Sequence, residues 1–275
     1  MSSATSPDTP LSWDEPPGLA PRGTVVVLAG RGERPGVYER FGRRLAADAY
    51  RVRAVGDATA DAGVEAVSLQ VKSLLEEPGR PGPLVLAGSD TGALLALRLV
   101  ALGSVTVDGL ILAGLPDPTF DTALDTGPDT ALDTGPDTAL DTAAEPELRA
   151  SCPTHQKLLR DADRDLFQTG ALTRERIPAE LREPIEDTAA GVAVPVLGLH
   201  GDNDQLSPLA QVRARYAGLP HAELLTVADG RHDVLNAANH RSVAASVVLW
   251  LERLRLGAGL PPIVTPVPGA GQVPA

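Results

Sequence analysis

Short, continuously apolar runs alternate along this chain with segments whose apolar residues recur at helical spacing. The run TVVVLAG at 24–30 is β-branched and apolar throughout, which is typical of a strand buried on both faces. The same pattern predicts further strands at 51–55, 83–88, 107–116, 194–201 and 222–228. It predicts helices at 36–50, 63–77, 92–102, 207–219 and 238–256. Strands separated by helices in this way predict an α/β fold, with a mostly parallel sheet covered by helices on both faces.

The alternation is interrupted between the strand ending at residue 116 and the strand beginning at residue 194. From Thr122 the chain reads TALDTGPD, TALDTGPD and TALDTAAE, an eight-residue unit that is repeated once unchanged and once altered. The unit is too short for a solenoid repeat, has few apolar residues and contains Gly-Pro, so we expect disorder over 122–145. Helical patterns at 147–167 and 177–187 complete a short helical cap, which we place at 117–192 within a domain spanning 23–256.

The two ends of the chain and its charge set further expectations. Both ends are rich in proline, which predicts a flexible arm over 1–22 and a disordered tail over 257–275.

The formal net charge of −12 disfavours nucleic-acid binding through a basic surface. With a single cysteine, Cys152, the chain has neither an internal disulfide nor a thiolate metal cluster. No signal-like segment or membrane span is recognisable, so we expect a cytoplasmic protein with a small-molecule substrate, no metal and no cofactor. The oligomeric state stays open.

A tight turn, GSDTG at 88–92, joins a predicted strand to a predicted helix. In enzymes of the α/β class, Gly-x-Ser-x-Gly at such a turn presents a serine nucleophile. Here the serine, Ser89, lies one position early and Asp90 occupies the centre. Strand and helix pass closely at such an elbow, so small residues are needed two positions before and after its tip. A tip at Asp90 places glycine at both positions, whereas a tip at Ser89 would place the β-branched Thr91 at one. We therefore predict that Asp90 is the tip.

Polar side chains follow two later predicted strands. LHGDNDQLSP at 199–208 carries Asp202 and Asp204, and ADGRHDVLN at 228–236 carries His232. Open parallel sheets place their sites at the carboxyl ends of the strands, so we expect these side chains to meet the elbow. The order of elbow, acid and histidine is the chain order of an α/β-hydrolase triad.

Three segments together resemble the α/β-hydrolase superfamily, and within it the monoacylglycerol-lipase and lysophospholipase-like branch. They are VVVLAGRGERPGVYERFGRRLAADAYRV, LHGDNDQLSP as an HGxxDxxxP pattern, and GRHDVLN as a GxxHxxLN pattern. The resemblance covers about 23–116 and 193–256, and it implies a hydrolase acting on a small or medium apolar substrate under a short cap. It implies that His232 is the general base, that Asp204 orients it, and that the backbone N–H groups of Arg31 and Thr91 form the oxyanion hole.

Two positions depart from the pattern of that branch. Its usual His-Gly before the oxyanion residue reads Ala29-Gly30, and its nucleophile position holds Asp90. A carboxylate can attack an sp³ carbon and form an alkyl-enzyme ester, as in haloalkane dehalogenases and epoxide hydrolases of this fold. Those enzymes usually carry a tryptophan after the aspartate, where this chain has Thr91. Epoxide hydrolases add cap tyrosines, whereas the tyrosines here lie outside the cap at Tyr38, Tyr50 and Tyr216.

Asp90 can thus be a nucleophile, a general base or an inert replacement. The first hypothesis is a hydrolase, acting on esters as the resemblance implies or on non-ester bonds through the aspartate. The alternative is a protein that keeps the fold and has lost hydrolysis. It would then act as an isomerase, a lyase or a ligand-binding protein in a biosynthetic pathway.

Overall fold

The computed structural model of the protein describes residues 9–60, 63–116, 144–161, 166–174, 177–182 and 191–265. In this part of the chain seven strands form one sheet, in the order β1-β3-β2-β4-β5-β6-β7. Strands β2 to β7 run parallel, and β1 pairs antiparallel with β3. The strands are β1 Leu11–Trp13, β2 Gly23–Ala29, β3 Tyr50–Asp57, β4 Leu84–Ser89, β5 Gly109–Ala113, β6 Val196–Gly201 and β7 Ala222–Val227. The predicted mostly parallel sheet is confirmed.

Helices cover both faces of this sheet, as predicted. The described α-helices are α1 Glu39–Ala47, α2 Gly63–Glu76, α3 Thr91–Ala101, α4 Glu145–Arg149, α5 Pro153–Asp161, α6 Ala171–Arg174, α7 Leu209–Ala217 and α8 His240–Arg255. Alternate residues of β2 belong to two separate core clusters: Val25 and Val27 pack with α1 and α8, and Val26 and Leu28 with α2, α3 and α7. Side chains buried on both faces explain why the strand is apolar without interruption.

The helical cap is more fragmented than the sequence patterns predicted. The pattern at 147–167 corresponds to two short helices, α4 and α5, which are separated before Pro153. Proline is tolerated in the first turn of a helix but not within one, so the chain starts a new helix there. The pattern at 177–187 yields a 3₁₀ turn at Ala179–Leu181, and 183–190 lie outside the described residues. None of the described helices is both long and apolar enough to cross a membrane.

The expectation of a flexible arm over 1–22 is wrong for its second half. Leu11–Trp13 form β1 on the edge of the sheet, and Glu15 pairs with Arg51 at 2.7 Å. Trp13 packs on α1 at Gly42, where a Cβ atom would overlap the indole ring. Edge pairing and partial burial of the Trp13 indole order this segment despite its proline-rich composition. Residues 1–8 lie outside the described residues.

Of the repeats and the tail, for which disorder is predicted, the structure describes only 144–145 and 257–265. Leu260 is only 8% exposed and its carbonyl accepts a hydrogen bond from Arg253 Nη2 at 2.7 Å, so the tail docks on α8. The repeats over 122–143 and the tail over 266–275 lie outside the described residues. Glu145, the last residue of the third repeat, begins α4 and is buried.

Candidate active site

Asp90 lies on the sharp turn between β4 and α3. Its backbone has φ 49° and ψ −123°, a conformation that non-glycine residues rarely adopt and that is typical of strained functional turns. Its N–H donates to the carbonyl of Ala113 on the neighbouring strand β5 at 3.1 Å. Ser89 is the last residue of β4, buried and off the tip. The structure therefore places Asp90 where the spacing of the glycines predicts the tip.

The two glycines of the turn are required by close backbone contact. A Cβ atom at Gly88 would overlap the carbonyl of Gly92, and one at Gly92 would overlap the carbonyl of Leu28 on β2. We expect Gly92→Ala to destabilise the fold by about 1–3 kcal/mol, because backbone atoms cannot give way as a flexible side chain would. Gly259→Ala is the matched control, since no atom lies within 4 Å of the Cβ it would add. Equal shifts in the urea midpoints of the two variants would contradict the close packing.

Asp204 and His232 come together with Asp90 from the ends of β6 and β7. His232 Nδ1 lies 2.9 Å from Asp204 Oδ2, and His232 Nε2 lies 3.2 Å from Asp90 Oδ1. The other oxygen of Asp204 accepts hydrogen bonds from the N–H groups of Leu206 and Ser207, at 2.9 and 3.1 Å. Asp204 is thus fixed by its own turn and holds the imidazole towards Asp90. The HGxxD spacing assigns the acid to Asp204 and not to Asp202, and Asp202 is exposed.

The side chain of Arg31 is the element of the site that the sequence patterns missed. Its backbone N–H, for which an oxyanion-hole role is predicted, donates to Asp90 Oδ2 at 3.0 Å. Its guanidinium also pairs with both carboxylate oxygens, through Nε to Oδ2 at 2.8 Å and Nη2 to Oδ1 at 3.0 Å. Thr91, the other expected oxyanion-hole residue, begins α3 directly after Asp90. Its role there stays a prediction, because the hydrogen bonds described for Asp90 do not include one from its N–H.

The charges of these four side chains alternate along the site. Burial opposes ionisation of Asp90, but the Arg31 guanidinium and the hydrogen bond from His232 outweigh it and hold the pKa of Asp90 well below its usual range. Burial alone would lower the pKa of His232, yet the charges and hydrogen bonds of Asp204 and Asp90 raise that pKa to about 10. Burial would raise the pKa of Asp204, but the charge and the hydrogen bond of His232, together with other nearby groups, lower it. At neutral pH an imidazolium therefore lies between two carboxylates.

The raised pKa of His232 predicts a stability that depends on pH in the alkaline range. Its usual value of 6.5 applies to the unfolded chain, so the contribution of the charged imidazole is full below pH 6.5 and is lost as the pH rises through about 10. We expect the gap in unfolding free energy between wild type and His232→Gln to shrink over this interval. Urea titrations from pH 6 to 10 measure it, together with an NMR titration of the imidazole C–H signals. A midpoint near pH 6.5 would contradict the charged ground state.

A second buried cation, Arg149 of cap helix α4, supports the loops that carry Arg31 and His232. Its Nη2 donates to the backbone carbonyl of Arg31 at 2.7 Å, and its own carbonyl accepts from the N–H of Asp233 at 2.6 Å. Its guanidinium pairs with Glu145 at 2.9 Å and lies 3.3 Å from Glu33. One residue of the cap is therefore bonded both to the loop of Arg31 and to the loop of His232.

Glu33 and Tyr38 brace the loop after β2 from its other side. Glu33 Oε2 accepts hydrogen bonds from the N–H of Gly30, at 3.1 Å, and from the Tyr38 hydroxyl. Burial, helped by the nearby charge of Asp233, raises the pKa of Glu33 to about 7 even though Arg149 lies close. The segment RGERP at 31–35 showed charged residues after a strand, but no pattern indicated which of them are buried.

Comparison with known proteins identifies the family. A family model described as serine aminopeptidase, S33, a hydrolase family, matches residues 20–239. No curated protein sequence matches the chain.

Solved structures of lipases and esterases share the fold. A monoacylglycerol lipase from Paleococcus ferrophilus superposes with a TM-score of 0.69 at 18% identity, over 90% of this chain and 99% of that one. A soluble variant of monoglyceride lipase from Saccharomyces cerevisiae gives 0.68 at 17% identity, over 89% and 91%. An esterase from Exiguobacterium antarcticum gives 0.61 at 17%, over 88% and 94%. These matches confirm the α/β-hydrolase fold predicted from the three sequence segments. The chain belongs to the serine aminopeptidase S33 family of hydrolases, and it shares the α/β-hydrolase fold with monoacylglycerol lipases and esterases.

Proposed function

We propose that this protein hydrolyses a small molecule in two steps, with Asp90 as the nucleophile and His232 as the base that activates water. The observation that carries the proposal is the difference between the two oxygens of Asp90. Oδ2 accepts from the backbone N–H of Arg31, where an oxyanion would be held, and Oδ1 faces His232 Nε2. Oδ1 is therefore the oxygen placed to attack, and Oδ2 becomes the carbonyl oxygen of the resulting ester.

In the first step Oδ1 bonds to a saturated carbon, and the leaving group departs with the electron pair of the broken bond. Because the pKa of Asp90 is held low, the carboxylate is ionised at neutral pH and needs no base for this step. A carboxylate of low pKa is a weak nucleophile, so the rate depends on holding the carbon against Oδ1. The strained elbow contributes to this by fixing Asp90 directly after β4.

In the second step water attacks the carbonyl carbon of the ester, and His232 takes its proton. The N–H of Arg31 stabilises the negative charge that develops on Oδ2, and Oδ1 leaves with the product. The charges of Asp90 and Asp204 together raise the pKa of His232 to about 10 in the free protein, too high for a base. Ester formation removes the charge of Asp90, so that pKa falls and the imidazole becomes a base only once the intermediate exists.

The aspartate favours attack on a saturated carbon over the ester hydrolysis expected of a lipase or an esterase. Attack of a carboxylate on an ester carbonyl would form an anhydride, a high-energy intermediate. Membership in a hydrolase family and the Asp204–His232 pair favour a working hydrolase over a protein that has lost hydrolysis. Contact between Arg149 of the cap and the Arg31 loop supports a substrate site beneath the cap. The net charge of −12 supports a small-molecule substrate rather than a nucleic acid.

Oxygen labelling in a single turnover tests this mechanism. Substrates are first selected from aryl esters, epoxides and haloalkanes, each assayed on wild type and Asp90→Ala side by side. With enzyme in excess in ¹⁸O-water, we expect the first product to carry an unlabelled carboxylate oxygen and Asp90 to gain the label. Labelled oxygen in the first product would show direct attack by water and would overturn the role of Asp90 as nucleophile.

A further inference from the structure

The peptide unit between Arg31 and Gly32 is held at both ends by buried charged side chains. Its carbonyl accepts a hydrogen bond from Arg149 Nη2 at 2.7 Å, and its N–H donates to Asp57 Oδ2 at 2.7 Å. Arg149 is fully buried and Asp57 is only 6% exposed. Hydrogen bonds to ionised groups are stronger than those between neutral groups, and here they act on both ends of one peptide dipole. The direction of this peptide is therefore fixed.

Arg149 is itself held in place by neighbouring residues of the cap. Glu145 Oε1 accepts hydrogen bonds from Arg149 Nε at 3.0 Å and from Nη2 at 2.9 Å, and the guanidinium lies 4.7 Å from the ring centroid of Phe167. Glu145 in turn accepts hydrogen bonds from the N–H groups of Gly170 and Leu172. Because the guanidinium is planar, these contacts also fix the direction in which Nη2 donates to the Arg31 loop.

The held peptide controls where the N–H of Arg31 points. That N–H donates to Asp90 Oδ2 at 3.0 Å, and the N–H of the preceding Gly30 is fixed on Glu33 Oε2 at 3.1 Å. In a loop that is fixed at both ends, one peptide plane can turn only if its neighbour turns too, because each residue has two soft torsions. Turning the Arg31 carbonyl away from Arg149 would therefore tilt the Arg31 N–H away from Oδ2, which weakens the hydrogen bond.

The two steps of the proposed reaction depend on this N–H to different extents. In the first step charge leaves Asp90 as Oδ1 bonds to carbon, so no oxyanion forms and the N–H is not required. In the second step negative charge develops on Oδ2, and a tilted donor stabilises it less. We propose that Arg149 is a positioning residue for hydrolysis of the ester intermediate and acts through the N–H of Arg31. This inference rests on the proposed function, which assigns the oxyanion to Asp90 Oδ2.

Separate measurement of the two steps tests this role. Arg149→Lys keeps the buried charge, but an ammonium group lacks the fork of donors that reaches Glu145 and the Arg31 carbonyl together. In single turnovers with 1-bromobutane, bromide leaves as Asp90 gains the butyl group, and water then releases butanol and one proton. Quenched-flow mass spectrometry follows the gain and the loss of the butyl group on the protein.

The two rates should respond differently to Arg149→Lys. We expect the butyl group to be gained within about threefold of the wild-type rate and lost roughly tenfold or more slowly, since removing an oxyanion-hole donor costs about 10²–10³-fold. Arg160→Gln is the matched control, because it removes an exposed arginine of cap helix α5 and should change neither rate. Glu145→Gln, which removes the charge that holds the guanidinium, should slow the loss in the same way and decides if Arg149→Lys fails to fold.

Hydrogen exchange of the Arg31 amide tests the inference without turnover. Release of the carbonyl should raise its exchange rate in Arg149→Lys by roughly tenfold or more relative to the Leu206 amide of the same sample. Leu206 donates to Asp204 on another loop and reports any change in overall stability.

Equal slowing of both steps, or an Arg31 amide that exchanges as in wild type, would overturn the positioning role. Failure of the proposed function has a different signature. A wild-type protein that turns over its substrate without alkylation of Asp90, combined with faster exchange of the Arg31 amide in Arg149→Lys, would refute the nucleophile and its ester. The support that Arg149 gives to the Arg31 N–H would then stand without the step assigned to it.

Discussion

Asp90→Asn should lower kcat by roughly 10³-fold or more, the scale of loss seen when a covalent nucleophile is removed. The amide has nearly the same shape but carries no charge and cannot form the ester. Asparagine also tolerates the positive φ of 49° at the tip at least as well as aspartate, so the turn should be retained. Steady-state rates on the best substrate from the screen, with circular dichroism to check folding, measure the effect.

Asp202→Asn is the matched control for this variant. Asp202 lies two residues before Asp204, is exposed and is not bonded to His232, so its loss should leave kcat within about twofold of wild type. Asp90→Ala, which also removes the hydrogen-bonding group, should be at least as inactive as Asp90→Asn. Turnover by both Asp90 variants at wild-type rates would rule out the nucleophile assignment.

His232→Gln should trap the intermediate that Asp90→Asn cannot form. The first step needs no base, so Asp90 should still be alkylated, and the second step should slow by about 10²–10⁴-fold without the imidazole. Intact-protein mass spectrometry should then show one added alkyl group, and peptide mapping should locate it at Asp90. Rapid turnover by this variant would show that His232 is not the base.

The double variant, Asp90→Asn with His232→Gln, separates a true intermediate from incidental labelling. It should show no added mass, because the attacking carboxylate is absent. An adduct of the same mass in the double variant would mean that the substrate alkylates another side chain. A second control is Asp204→Asn, which keeps both reacting groups but removes the carboxylate that orients the imidazole at 2.9 Å. It should accumulate the ester to a smaller extent than His232→Gln.

The parallel sheet and the elbow could be predicted because their signals are local. Val25 to Leu28 are apolar on both faces within one short run, and two glycines four positions apart locate the tip. The strand β1 within the arm was missed for the opposite reason: β1 exists only because β3, about 40 residues later, offers it an edge. Composition describes how readily a segment is solvated, but carries no information on such a distant pairing partner.

The buried charges of the site were beyond prediction from the same patterns. Arg31 and Asp90 are 59 residues apart in sequence, and Arg149 is 118 residues from the carbonyl of Arg31 that it binds. The sequence resemblance predicted the position of the Arg31 backbone N–H, because this position depends only on where β2 ends. The direction of its side chain depends on which carboxylate lies opposite once the chain has folded, and an arginine in a polar loop is more often solvated than buried.

The altered third repeat has a consequence for how this chain can change in length. Where the first two copies end in Gly-Pro-Asp, the third ends in Ala-Ala-Glu, and its last residue, Glu145, begins α4 and pairs with Arg149 one helical turn later. The third unit has two alanines in place of Gly-Pro, so it lacks a helix breaker directly before the start of α4. Glu145 and Arg149 stand four residues apart, a spacing at which a glutamate and an arginine can pair on one face of a helix. Because Glu145 and Arg149 hold the loops of Arg31 and His232 from the end of the repeats, we expect deletion of one whole octapeptide upstream to leave these contacts unchanged.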